Sequence, residues 1–337
     1  MVKVITYIII CFFLVGCHAI PVLPSDEYPE EKTVSVCVSQ PVTRSFNGTV
    51  AETWEKKINT AAIYIFNPAG KTVRAYTLTA AQITAINNGT NMVINMIVPG
   101  NLTSCDVYFV ANTTPSANIA TKTSFLTSFE QDIANYNGVY ADVTTKALRT
   151  NGFVLTGKKD GVVLNTSQTT AVAITLRRIV AKVAVDINFT TVLNLGTLTL
   201  NNVTLTNSSP YSNLFPLDDA KTGGTALTLS QAPAANGTNK YRAFFYIYEN
   251  NERASNAAPT LNISGSGLIL IISTPFSYKI PLSGDMDGTT ATGKITRNRV
   301  YYINISVLKL TNILLLSRSQ SDIIVEQHTD TTFVDNF

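Results

Sequence analysis

The chain has 337 residues, of which 45% are hydrophobic and only 14% charged, and its formal charge is +3. That length suits two domains of ordinary size, each with its own core. The Thr, Asn and Ser that replace the missing charges are typical of exported, strand-rich proteins. Two histidines and the lack of any Lys/Arg cluster argue against imidazole catalysis, an imidazole metal site and a nucleic-acid partner, and no cofactor is expected.

Lys3, the apolar run Ile5 to Val15 and the small Gly16 before Cys17 follow the order of a bacterial lipoprotein signal, with Leu14-Val15-Gly16-Cys17 as its lipobox. Residues 1–16 are therefore expected to be removed, leaving Cys17 as an acylated first residue. An ordinary secretory signal cut after Ala19 is the rival, and either version is exported. Residues 17–32, with Pro21, Pro24 and Pro29 among acidic side chains, read as a tether.

From Thr33 to Ser39 the alternation is strict. Val34, Val36 and Val38 share one face, Ser35, Cys37 and Ser39 the other, and a half-buried strand is predicted. A polar loop from Val42 to Thr49 follows, containing Arg44 and Ser45. Trp54 to Lys57 reads as a helical or irregular turn, Ala61 to Phe66 and Val73 to Thr79 as a hairpin, and Ala80 to Asn87 as a helical or irregular link. Further strands are predicted at Met92 to Val98 and Asp106 to Asn112. Phe125, Phe129 and Ile133, spaced by four within Ser124 to Tyr136, predict one short amphipathic helix.

The β-branched run Ala171 to Val185 is too long for one strand and crosses the expected domain boundary, set between 176 and 177. Strands are then predicted at Leu198 to Leu205, Tyr241 to Tyr248, Leu268 to Ile272, Tyr278 to Leu282 and Val300 to Leu308. The spacing suggests a β-sandwich. Once Cys11 leaves with the signal and Cys17 is acylated, Cys37 and Cys105 are the only pair left for an internal disulfide. Two strand thiols that never meet would be equally ordinary.

Four segments carry a family resemblance: Lys57 to Phe66 followed by Gly70, Val107 to Asn112, Leu176 to Val183, and Arg297 to Ile305. In this order behind a lipobox, the chain resembles the Bacteroidales FimA/Mfa1-type fimbrillins, the subunits of type V pili. The resemblance implies a mainly β fold of two transthyretin-like sandwich domains in tandem, residues 33–176 and 177–337. It also implies an outer-membrane lipoprotein precursor, cut by an Arg-directed protease and polymerised by strand exchange into a cell-surface fimbrium that supports adhesion. Its partners would be other copies of itself, other fimbrial subunits, the outer membrane through its lipid, and a host or bacterial surface ligand.

In this chain Arg44 and Ser45 would flank the cut, unless Arg44 is an ordinary surface arginine. The strand bearing Val34, Val36 and Val38 would be displaced. Ile313, Leu315, Ile323 and Val325 in the tail are donor-strand candidates, with the alternative that they belong to the protein's own second sandwich. A bonded Cys37 and Cys105 would hold the cut strand back and favour a lipid-retaining anchor subunit instead.

Other signals are weaker. Asp285-Met286-Asp287-Gly288 lacks the later Glu of a calcium loop and reads as a turn. Tyr241, Phe244, Phe245, Tyr246 and Tyr248 could stack sugars, which with Trp54 is the case for a glycan-binding lipoprotein, but strand alternation favours a core role. No set of residues for enzymatic chemistry is apparent.

Overall fold

The structure, a computed structural model, describes residues 31–40, 52–90, 92–165, 169–189, 198–216, 226–250, 258–269, 272–287, 290–307 and 323–329. The signal, the tether up to residue 30, residues 41–51 with Arg44 and Ser45, and the tail residues Ile313 and Leu315 lie outside them, and Lys32, expected at the end of the tether, already belongs to the first strand.

The alternating segment after the tether is β1 (Lys32–Ser39). After it come α1 (Thr53–Lys56), β2 (Ala61–Phe66), β3 (Thr72–Thr77), α2 (Ala80–Asn87), β4 (Met92–Val98) and β5 (Ser104–Ala111). Thr79 and Gln82 close a capping box on α2, which makes the link helical. Then follow α3 (Lys122–Leu126), β6 (Phe129–Glu130), a 3₁₀ turn (Ile133–Tyr136), α4 (Tyr140–Val143), β7 (Leu155–Val163) and β8 (Thr170–Thr175).

The run across the expected boundary resolves into β8, β9 (Arg177–Arg178) and β10 (Val180–Asn188). The remainder is β11 (Leu198–Ser208), β12 (Ser212–Asn213), β13 (Leu227–Gln231), β14 (Ala234–Ala235), β15 (Lys240–Tyr248), β16 (Thr260–Ile269), β17 (Ile272–Pro281), β18 (Met286–Asp287), β19 (Thr290–Ala291), β20 (Val300–Val307) and β21 (Ile323–Thr329).

Two sequence expectations are corrected. The amphipathic helix over Ser124 to Tyr136 is instead α3, β6 and the 3₁₀ turn. Thr121 caps α3, but the buried Ser128 hydroxyl accepts from the amide of Ala117 at 3.1 Å, and its carbonyl accepts from the amide of Leu214 at 2.9 Å. The chain at Ser128 is therefore committed to tertiary bonds, and Phe129 and Glu130 pair with Asn213 and Ser212. The strand expected from Leu268 to Ile272 falls instead at the paired ends of β16 and β17, where Ile269 faces Ile272, and β16 runs through the Gly- and Ser-rich stretch Ser264 to Gly267. Gly265 hides the pattern for a steric reason: a Cβ there would collide with the Thr199 carbonyl oxygen.

The principal sheets come in two pairs with one topology. In the first, β4-β1-β8 faces β3-β2-β5-β7, the latter extended by β9; in the second, β15-β10-β20 faces β13-β11-β16-β17, with β14 and β21 added at the edges of the former sheet. The leading strand of each pair, β1 or β10, runs antiparallel to one neighbour (β4 or β15) and parallel to the other (β8 or β20).

Each pair encloses an apolar core. Val34, Val36, Ile94, Ile63 and Phe109 belong to the first, and Val183, Val185, Leu205, Phe245 and Ile303 to the second. The opposite faces of β10 and β15 contribute Ala184, Phe244, Tyr246 and Tyr248 to the first core, so one sheet of the second sandwich is sealed against the first. Asn137 fixes this contact, donating to the Tyr246 carbonyl at 2.8 Å and accepting from its amide at 2.9 Å.

Candidate functional site

The site is the seat of β1. Its N–H and C=O groups serve two neighbours at once, because Val34 is in register with both Met96 on β4 and Thr170 on β8, and Val38 with both Met92 and Ile174. Val34, Val36 and Val38 are 0%, 0% and 2% exposed. Burying each such side chain stabilises by about 1.5–3 kcal/mol. Together that is roughly 5–9 kcal/mol, comparable to the whole stability of a small domain, about 5–15 kcal/mol. Loss of β1 would thus open a slot with two unpaired backbone rows and an apolar floor, a state that favours pairing with another strand.

In the structure Cys37 and Cys105 are free thiols, the second of the two alternatives weighed from sequence. They lie on different sheets: Cys37 is on the face of β1 opposite the three buried valines, whereas Cys105 is buried on β5. Burial, reinforced by Asp106, pushes the Cys105 thiol up to about 11.

Of the donor candidates, Ile323 and Val325 lie in β21, which pairs antiparallel with β20 at the edge of its own sheet. Among the described strands β21 has a single neighbour, whereas β1 has two.

Glu55 on α1 is a completely buried carboxylate. Arg178 Nη1 donates to its Oε2 at 2.5 Å, while Lys182 Nζ and the Tyr246 hydroxyl donate to its Oε1 at 2.7 and 2.6 Å. Burial alone would raise the carboxyl, but Arg178 and then Lys182 outweigh it and hold Glu55 at about 2. Burial also drives the Lys182 ammonium below its ordinary value, opposed by Glu55.

Asn298, at φ 62°, accepts from both the amide and Nε of Arg178, and its own amide donates to the Val180 carbonyl. Arg297 is anchored by Glu249 and by the carbonyls of Asn213 and Leu214. The segments Leu176 to Val183 and Arg297 to Ile305, which carry the family resemblance, therefore meet at the joint between the sandwiches. Glu55 was missed in the sequence because it stands among polar residues. The available signal was Arg178 and Lys182 inside an apolar run, since buried cations demand a buried anion.

The segment Val107 to Asn112 ends in a second fixed point. Asn112, buried and at φ 64°, accepts from the amides of Asn59 and Thr60 and donates to the carbonyls of Lys57 and Phe153.

The aromatics considered for sugar stacking are in the core: Phe244, Phe245, Tyr246 and Tyr248 are buried, and Tyr241 and Trp54 are half-buried against it. Asp285 accepts from the Tyr301 hydroxyl and pairs with Arg299 at 2.8 Å, just before the paired strands β18 and β19.

Comparison with known proteins agrees with this architecture. The tip fimbrial protein Mfa3 from Porphyromonas gingivalis, solved with a C-terminal truncation, is 17% identical and superposes with a TM-score of 0.55 over 88% of this chain and 99% of that one. The fimbrilin FimA from Porphyromonas gingivalis W83 is 14% identical, with a TM-score of 0.60 over 88% and 96% of the two chains. At these identities the likeness establishes the fold. No curated protein matches the chain. The family model for fimbrillin-A associated anchor proteins Mfa1 and Mfa2 matches residues 27–319, nearly the whole length from tether to tail. The chain therefore belongs to this family of structural fimbrial proteins, as its four signature segments had implied.

Proposed function

We propose that the chain is a structural subunit of a bacterial fimbria that joins its neighbours by strand exchange. Residues 1–16 direct export, acylated Cys17 holds the precursor to the outer membrane over the tether 17–32, and an Arg-directed protease cuts between Arg44 and Ser45. The first sandwich domain, residues 33–176, then gives up β1, and a strand from a neighbouring subunit's tail enters between β4 and β8. The second domain, residues 177–337, keeps its own leading strand. The assembled fimbrium supports adhesion to a host or bacterial surface.

The observation that supports this reading is the place of β1: central in its sheet, apolar on its inner face, and bound by no disulfide. Donation by Ile323 and Val325 requires β21 to leave β20, its one neighbour among the described strands. A second reading, a lipid-retaining anchor subunit that keeps β1, is favoured by the family's description as anchor proteins.

Mass spectrometry of the protein from cells tests both. A chain beginning at Ser45 is expected for the exchanging subunit, and an intact chain on diacylated Cys17 for the anchor; a start at Ile20 defeats the lipoprotein reading. In vitro, protein trimmed at Arg44 and freed of β1 is expected to capture a peptide covering residues 309–329. Trimmed protein that stays monomeric and soluble, with no affinity for that peptide, ends the strand-exchange proposal.

A further inference from the structure

We infer that the outer edge of β4 pairs with the same edge of a second copy of this chain, antiparallel about a two-fold axis at Asn95. The backbone fixes which groups are on offer. The Ser39 carbonyl accepts from the amide of Leu176, just past β8, so Ser35, Cys37 and Ser39 turn their backbone groups to β8, and Val34, Val36 and Val38 turn theirs to β4. On β4, Met92, Ile94 and Met96 answer those valines, and Val93, Asn95 and Ile97 between and beyond them face away from β1. Among the described residues nothing bonds to the N–H and C=O groups of these three.

The second sandwich treats the equivalent row differently. β15 stands to β10 as β4 stands to β1, and there Arg242 pairs with Ala234 of β14. The side-chain amide of Gln231 bonds the backbone amide and carbonyl of Phe244 at 2.8 and 3.1 Å, and that of Asn137 does the same for Tyr246. β4 has no such cover among the described residues, and it lacks the usual guards of an edge. Met92–Val98 contains no charge, no proline and no bulge, and Val93 and Ile97 are each 51% exposed. The strand also fits itself. Turned end for end about Asn95, Val93 meets Ile97, Ile94 meets Met96 and Met92 meets Val98, so every flanking pair is apolar and no like charges are opposed. This register sets the three outward residues of one copy against the three of the other, where each exchanges both backbone bonds. A foreign strand would gain the bonds without the match of side chains, so the occupant is a second copy. The inner row of β4 serves β1 or the strand that replaces it, which makes this pairing lateral and separate from strand exchange.

Sedimentation velocity and hydrogen exchange on the full mature chain, uncut at Arg44, test the edge. A dimer is expected to form as the concentration rises from about 1 μM to about 1 mM. In it the amides of Val93, Asn95 and Ile97 should exchange at least about tenfold more slowly. Asn95→Lys and Asn95→Asp each set like charges directly opposite at the axis, and each alone should stay monomeric. Mixed in equal amounts they should pair again, since the axis then sets Lys against Asp. Asn95 is exposed, so both variants should keep the melting temperature, and the exchange measurement needs no variant. Strand exchange requires the cut chain and builds beyond a dimer, so its failure would leave these results unchanged. The inference is overturned if the uncut chain stays monomeric over this range, if the three amides keep their rates, if either variant alone dimerises as well as the native chain, or if the mixed variants stay monomeric.

Discussion

Glu55 and Arg178 are 123 positions apart in sequence, yet Arg178 Nη1 lies 2.5 Å from Glu55 Oε2 in a site closed to water. The pair, with Lys182 and Tyr246, ties the segment that follows the expected cut to the leading strand of the second sandwich. Glu55→Gln preserves the shape but leaves Arg178 and Lys182 without their anion, and should cost about 3–5 kcal/mol of stability. Urea denaturation measures it; a loss below about 1 kcal/mol would mean that the cluster does not hold the joint.

The same group sets an acid limit. Glu55 has an ordinary value of 4.5 and a folded value of about 2, so its folded form binds protons less readily than its unfolded form. Its stabilising contribution is complete above 4.5 and is lost as pH falls through about 2. Thermal melts across this window should show stability falling with acidity, and Glu55→Gln should flatten the slope. An equally steep slope in the variant would assign the acid sensitivity to other carboxylates.

Asn112 combines a left-handed backbone with four side-chain bonds to loop backbone. Asn112→Ala retains the strained φ and strands two amides and two carbonyls, so a loss of at least about 3 kcal/mol is expected. Asn112→Gly relieves the backbone alone. Equilibrium unfolding of the two variants separates the contributions, and near-equal wild-type stability of both would refute the assignment.

The two thiols should differ in reactivity. Cys37 is half-buried, whereas Cys105 is 2% exposed and pushed up to about 11 by burial and Asp106. A thiol reagent at neutral pH should label Cys37 in the folded protein and reach Cys105 only on unfolding. Two blocked thiols that reduction restores would instead reveal a disulfide.

Much of the fold was legible where burial on one face imposes alternation, as in β1, or where both faces are buried, as in Ala61 to Phe66. The amphipathic spacing of Phe125, Phe129 and Ile133 misled because Ser128, whose bonding is tertiary, interrupts the helix. β7 was unreadable because Lys158, Lys159 and Asp160 occupy its middle. The value of β1 as a candidate could be read from Val34, Val36 and Val38, but its central position could not, since register with β4 and β8 joins distant parts of the chain. Glu55 was missed because it stands among polar residues, and only the fold brings it to Arg178 and Lys182.

The repeated topology has a consequence for assembly. β10 occupies in the second sandwich the position that β1 occupies in the first, but it continues directly from β9, and its Lys182 is fastened to Glu55. Under strand exchange, only one of the two equivalent berths can ever fall vacant. A subunit with a single opening accepts a single successor, so growth from it is unbranched and directional.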